Sequence, residues 1–193
     1  MENLAAKAPE TIETERLLLR RPVRSDAQDV FHRYASDREV TRFLSWPTHR
    51  SIADTLAFIA LSDDEWLRWP AGPYLVFARE NKLPVKLIGS SGLFCKSSTR
   101  AVTGYVFARD AWGHGYATEA LQTMVHLART IGITRLEALC HAEHAVSAHV
   151  LEKCGFIREV VRREHFAFPN LKPQTKAGVY SYAHSCAGDS SSQ

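Results

Sequence analysis

The chain has 193 residues, 45% hydrophobic and 23% charged, which excludes disordered, collagenous and coiled-coil classes and suits one domain with a single sizeable core. Its 24 Lys and Arg against 21 Asp and Glu leave a formal net charge of +3. That is too mild for a polyanion footprint, and Glu159 and Glu164 dilute the basic pair Arg162-Arg163, so no nucleic-acid partner is expected.

Residues 1–10 are small and polar and read as a flexible N-terminus. They have no basic stretch followed by a long apolar run, and no segment is apolar enough for a membrane span, so no membrane partner is expected. Leu17 to Arg20 reads as a strand; Pro22 then breaks it, and Ser25-Asp26 offers an N-cap for an amphipathic helix over Ala27 to Tyr34. Asp37 to Pro70 is irregularly helical. It holds three of the four tryptophans, Trp46, Trp66 and Trp69, and its Asp63-Asp64-Glu65 run reads as a solvated helix start.

After Pro73 come β-rich runs at Tyr74 to Ala78, Leu87 to Phe94 and Ala101 to Phe107, separated by Asn81-Lys82 and Ser97-Ser98-Thr99 turns, which predict consecutive antiparallel strands. Ala117, Ala120, Leu121, Met124, Leu127, Ala128 and Ile131 recur at helical spacing, so a helix is expected from about Gly115 to Ile131. A strand at Leu136 to Cys140, a short helix at Ser147 to Lys153, and strands near Phe156 to Phe168 and Val179 to Tyr182 complete an α/β or α+β chain of one domain, residues 11–185. Residues 186–193 read as a flexible tail. Cys95, Cys140, Cys154 and Cys186 form no CxxC pair and no regular spacing, which predicts reduced thiols and a cytoplasmic protein.

The stretch from Tyr105 to Ala120 runs from a strand through a glycine-spaced turn into a helix. Gly113 and Gly115 let backbone approach a ligand, and the first free N–H groups of the helix offer the positive end of its dipole, so the turn suits phosphate or pyrophosphate. A plain tight turn packing helix on strand satisfies the same spacing. The dinucleotide fingerprint is excluded because Thr118 stands where its third glycine belongs, and no P-loop pattern occurs.

The run Trp112-Gly-His-Gly-Tyr-Ala-Thr-Glu-Ala120, followed by His144-Ala-Val-Ser-Ala-His-Val-Leu-Glu-Lys-Cys-Gly-Phe156, resembles the GNAT superfamily of acyl-CoA-dependent N-acetyltransferases. Thr14-Glu-Arg-Leu-Leu-Leu-Arg20 further resembles its ribosomal-protein N-terminal acetyltransferase branch, the RimJ/RimL type, and the similarity spans roughly residues 11–185. The resemblance implies an α+β fold: a mixed, mostly antiparallel sheet of about six to seven strands, flanked by helices and splayed at its centre. It also implies acetyl-CoA as cosubstrate, with no metal. Its pyrophosphate would lie on the amides of Trp112, Gly113, His114, Gly115, Tyr116 and Ala117, with pantetheine along the central strand and the thioester carbonyl against amides near Phe107.

Against that pattern this chain has Asp110 where the phosphate motif usually opens with Gln or Arg, and Val102 where the central strand often carries an acidic base. Leu151 stands in place of a common tyrosine acid, and His144 in place of Asn. In the resembled branch the serine matching Ser147 suits the acid role, so Ser147 is the candidate to protonate the leaving thiolate, and His144 is a candidate base.

His141-Ala-Glu143 begins a zinc-deaminase signature, but the required downstream PCxxC is missing, and HExxH does not occur. Glu119, in the first turn of its helix, is favoured by the dipole whatever the function. The resemblance implies acetyl transfer to a primary amine, either a protein N-terminus or a small molecule, by direct attack in a ternary complex of a monomer or homodimer. A non-catalytic acyl-CoA sensor is the alternative. If the Asp63-Asp64-Glu65 cluster flanks the acceptor cleft, it would draw in a cationic amine.

Overall fold

The computed structural model describes residues 6–81, 83–162, 168–171 and 178–186. Among the described residues eight strands form one sheet: β1 (Thr11–Glu13), β2 (Leu17–Arg20), β3 (Pro73–Glu80), β4 (Leu83–Cys95), β5 (Arg100–Phe107), β6 (Arg135–His141), β7 (Ile157–Arg162) and β8 (Val179–Ser185). Their order is β1-β2-β3-β4-β5-β6-β8-β7, and only β5 and β6 are parallel. This is the expected α+β architecture with eight strands. The additional one, β1, is three residues long and has too little alternation to show in sequence. Where a flexible start is expected, Ala8 is buried, its N–H donates to the Pro70 carbonyl (2.7 Å), and the Pro9 carbonyl accepts from the Tyr74 hydroxyl (2.7 Å). At the other end Cys186 is buried and its N–H donates to Thr134; residues 187–193, and 163–167 of the expected strand 156–168, lie outside the described residues.

Strand alternation divides the core between the two sheet faces. Val76, Ile88 and Phe107 pack with one cluster, and their neighbours Leu75, Leu87 and Val106 with the other. The helices follow in chain order: α1 (Ala27–Val30), α2 (Arg38–Thr41), α3 (Ile52–Arg68), α4 (Tyr116–Thr130) and α5 (Ala145–Lys153). The first face receives α4 through Ala120, Leu121, Met124, Leu127 and Ala128, the predicted stripe, each large side chain contributing about 1.5–3 kcal/mol. The second receives α1 and the single π turn that follows it, where the Ser36 N–H reaches the Phe31 carbonyl at 3.1 Å.

Of the three clustered tryptophans, Trp66 is core and donates its indole N–H to the Pro73 carbonyl (2.9 Å), Trp69 packs against that core, and Trp46 faces a cavity. The parallel pair holds only over Arg100 to Val102 against Arg135 to Glu137; beyond it β5 and β6 part company. On the closed side β5 is pressed against β4, where a Cβ on Gly89 would stand 2.1 Å from the Val106 carbonyl oxygen. The opening on the other edge of β5 positions the site.

Candidate active site

The turn from β5 into α4 is built for main-chain recognition. Gly113 and Gly115 have φ of +77° and +79°, a region that strains a side-chain-bearing residue, and Gly115 is the N-cap of α4. Glu119 N–H makes the first helical bond, to the Gly115 carbonyl, so the amides of Tyr116, Ala117 and Thr118 have no partner within the helix. His114 Nδ1–H donates to the Trp112 carbonyl (2.8 Å), and its exposed ring stacks on Tyr116, which is half-buried against the core.

A clamp from the N-terminal strands fixes this turn. Arg16 donates through Nε to Glu119 (2.7 Å) and through Nη1 to the His114 carbonyl (2.9 Å), and the Thr14 hydroxyl donates to Glu119 (2.6 Å). Burial opposes ionisation of Glu119, but these bonds together hold its carboxyl below the usual range. Glu119 therefore ties helix to sheet, the structural alternative to catalysis. Asp110, the departure from the phosphate motif, is offset by Arg33 (2.8 Å) and Lys86. Its pKa is pulled down to about 2 by those two hydrogen bonds, and one carboxylate between two cations leaves the vicinity positive.

The open edge of β5 begins at the same turn. The Ala108 N–H donates to Ile88 of β4 (2.8 Å), so strand alternation turns the N–H and carbonyl of Phe107 to the opposite edge. There the Trp112 indole N–H caps the Phe107 carbonyl at 2.8 Å.

Across the opening lies a cavity of about 880 Å³, lined by β5 from Val102 to Val106, β6 from Ala138 to His141, and His144, Ser147 and Leu151 of the α5 region. Its outer wall is aromatic, with Phe43, Trp46, Phe58 and Phe168. Ser147, in the first turn of α5, stands with its Oγ 3.0 Å from the Tyr105 hydroxyl. Burial pushes the Tyr105 phenol up, against the pull of Ser147, so it holds its proton at neutral pH. The phenol missing at Leu151 thus has a counterpart on the facing strand, a partner sequence reasoning did not find. Its signal was faint: a single phenol on a mostly apolar strand, placed by alternation on the same face as Thr103 and Phe107.

His144 occupies the N-cap of α5, where its side chain makes no cap bond. Its ring stacks on Phe43 at 4.8 Å. Burial, aided by His141, pushes its pKa below the usual imidazole value, leaving a neutral base at pH 7.

The acidic cluster Asp63-Asp64-Glu65 lies in the C-terminal half of α3, not at a helix start, and outside the cavity wall, with Asp63 bonded to Arg21 at 2.8 Å. The cavity wall reaches α3 at Leu61, one helical turn before Asp64 and Glu65. Among the described residues no group of three His, Cys, Asp or Glu side chains is placed to hold a metal, and no helix is long and apolar enough to cross a membrane.

A glycine turn with free helix N-terminal amides beside a splayed pair of strands frames the site, and comparison with known proteins gives the family. Residues 16–157 match the model of the acetyltransferase (GNAT) domain, and the chain belongs to that family of N-acetyltransferases. It is 30% identical over 159 residues to the uncharacterized N-acetyltransferase p20 of Bacillus licheniformis, covering 81% of this chain and 87% of that protein. In fold it resembles the microcin C7 self-immunity acetyltransferase MccE, solved with acetyl-CoA and AMP (TM-score 0.78, 18% identity, 93% of this chain and 98% of that one). It likewise resembles RimL, the ribosomal L7/L12 α-N-protein acetyltransferase, solved with coenzyme A (TM-score 0.77, 21% identity, 91% and 98%).

Proposed function

We propose that the chain transfers an acetyl group from acetyl-CoA to a primary amine by direct attack, without a covalent enzyme intermediate. The supporting observation is that the Ser147–Tyr105 pair stands in a cavity lined by β5 from Val102 to Val106, beyond the point where β5 and β6 part, on the strand that runs on into the glycine turn. The pyrophosphate lies on the amides from Trp112 to Ala117, where the helix dipole favours negative charge. Pantetheine follows the unpaired edge of β5, and the thioester carbonyl takes the Phe107 N–H as oxyanion donor.

The amine enters through the aromatic-walled cavity. Its lone pair attacks the carbonyl carbon, the carbon–sulfur bond breaks, and the sulfur leaves as thiolate. His144 takes the proton lost by nitrogen. Ser147 Oγ–H protonates the sulfur while the Tyr105 phenol passes its proton to the serine, and the proton taken by His144 returns the phenol to its neutral form through solvent. An α-amine of pKa about 8 costs only about 1.4 kcal/mol to neutralise at pH 7, against about 4–5 kcal/mol for a lysine-like amine, so a weak base such as His144 suffices for the former. Four free, buried cysteines support a cytosolic place of action.

Thiol release from acetyl-CoA, measured over peptide N-termini and small amines, tests this reading. The expected result is amine-dependent release, with an acid limb below pH 6.5 from neutral His144 that disappears in His144→Gln. An unchanged limb in that variant removes His144 as base, and acetyl-CoA bound without amine-dependent release overturns the transfer mechanism.

A further inference from the structure

His141, the last residue of β6, is only 2% exposed and lines the acceptor cavity. Its Nδ1 accepts the N–H of Glu143 at 3.1 Å, which fixes the neutral tautomer with the proton on Nε2. That Nε2 is buried and, among the described residues, has no hydrogen-bond partner. Phe43 and Phe168 pack on the ring, each at 4.7 Å, so the donor sits in an aromatic niche. A buried donor left unpaired costs about 1–3 kcal/mol, so a ligand bringing an oxygen to it gains selectivity over one that does not.

The charge of the cavity points the same way. Among its described lining residues the one carboxylate is Asp54, whose Oδ2 is already taken by the N–H groups of Arg50 (2.7 Å) and Ser51 (3.0 Å), while Arg50 and Lys96 are cationic. A polycation meets a single carboxylate there, Asp54, set against the two cations Arg50 and Lys96, whereas an oxygen beside the reacting amine meets His141.

We propose that His141 is the specificity-determining residue of the acceptor side. Its Nε2–H binds the carbonyl oxygen of an α-aminoacyl amine whose side group packs on Phe43 and Phe168. The inference rests on the acetyl-transfer reading but goes beyond it in selecting among amines. Burial, together with Arg42, lowers the imidazole pKa against Glu143, so the donor tautomer persists at neutral pH.

The test compares L-phenylalaninamide with phenethylamine, which keeps the ring and the amine but lacks the carboxamide, alongside spermine and a peptide beginning with Phe. Thiol release gives kcat/KM for each with the wild type, His141→Phe and His141→Gln. The preference for phenylalaninamide over phenethylamine is expected to fall about tenfold in His141→Phe and to return largely in His141→Gln, a comparison within which amine basicity cancels. A higher value for the peptide than for phenylalaninamide assigns a polypeptide source, and the reverse a free amino-acid derivative; both keep the inference.

An unchanged preference, or spermine as the best acceptor, overturns the inference while leaving acetyl transfer standing. Nitrogen NMR of the wild type provides an independent readout should His141→Phe fail to fold. The His141 Nε2 resonance should move with phenylalaninamide and not with phenethylamine, and equal responses to both overturn the assignment. If no amine is turned over, the catalytic roles fall, and this shift alone decides whether the carbonyl docks on His141.

Discussion

The two halves of the site are built by different means. On the proposed cofactor side a short continuous run, Trp112 to Ala117, presents backbone amides, and side chains such as Arg16 and Glu119 serve to hold that backbone still. On the acceptor side the useful groups are side chains from separate segments: Phe43 after α2, Tyr105 on β5, His141 ending β6, His144 and Ser147 opening α5, and Phe168. A main-chain site tolerates changes of residue type, as Asp110 shows, because a charge in the wrong place can be offset by Arg33 and Lys86. A side-chain site has no such latitude, since each atom it offers is unique.

Substitutions should therefore separate the halves. The largest effect is expected for Ser147→Ala, with turnover down about 10- to 1000-fold and acetyl-CoA affinity within about twofold, as measured by steady-state kinetics and calorimetry. Tyr105→Phe should reproduce a smaller share of that loss, because the serine keeps its own proton. If Ser147→Ala weakens acetyl-CoA as much as it slows turnover, the division into halves is wrong.

Next comes Gly115→Val, which puts a β-branched residue at φ +79° on the amide turn. Acetyl-CoA affinity should drop by roughly tenfold or more, with acceptor KM little changed, and a folded variant that binds normally would place the pyrophosphate elsewhere. The smallest effect is expected for Asp110→Asn. Freed of their counter-charge, Arg33 and Lys86 make the turn more positive, so acetyl-CoA binding should tighten about two- to threefold at low salt and revert at high salt. Weaker binding in that variant would mean Asp110 orders the turn rather than merely being tolerated there.

The same contrast governs what could be read from the sequence. The glycine pair and the helical stripe from Ala117 to Ile131 are local patterns with fixed periods, and both stand where expected, as does the alternation of β3 to β5. The niche around His141 has no local period: Phe43 and Phe168 lie on opposite sides of it in sequence and meet only through the fold. His141 itself was visible only as half of a metal motif, because what matters about it, a ring nitrogen fixed by the Glu143 amide, depends on backbone geometry. Asp63 to Glu65 misled in the opposite direction, since three adjacent acids read as a helix start while they fall in the last turns of α3, whose true start is capped at Ser51 and Asp54.

The clamp of Thr14 and Arg16 onto Glu119 spans more than a hundred residues of chain, and the backbone N–H of Arg16 shares in it at 3.1 Å from the carboxylate. A ligand at 100 times its dissociation constant stabilises the state it binds by about 2.7 kcal/mol. The clamp spreads that gain through the β1–β2 turn to β1, a three-residue edge strand with no buried residue, where local opening is otherwise least resisted. Amide hydrogens near the start of the chain should thus exchange more slowly once cofactor occupies a turn a hundred residues away, which makes the N-terminal strands a reporter of occupancy and a tag fused there a perturbation of it.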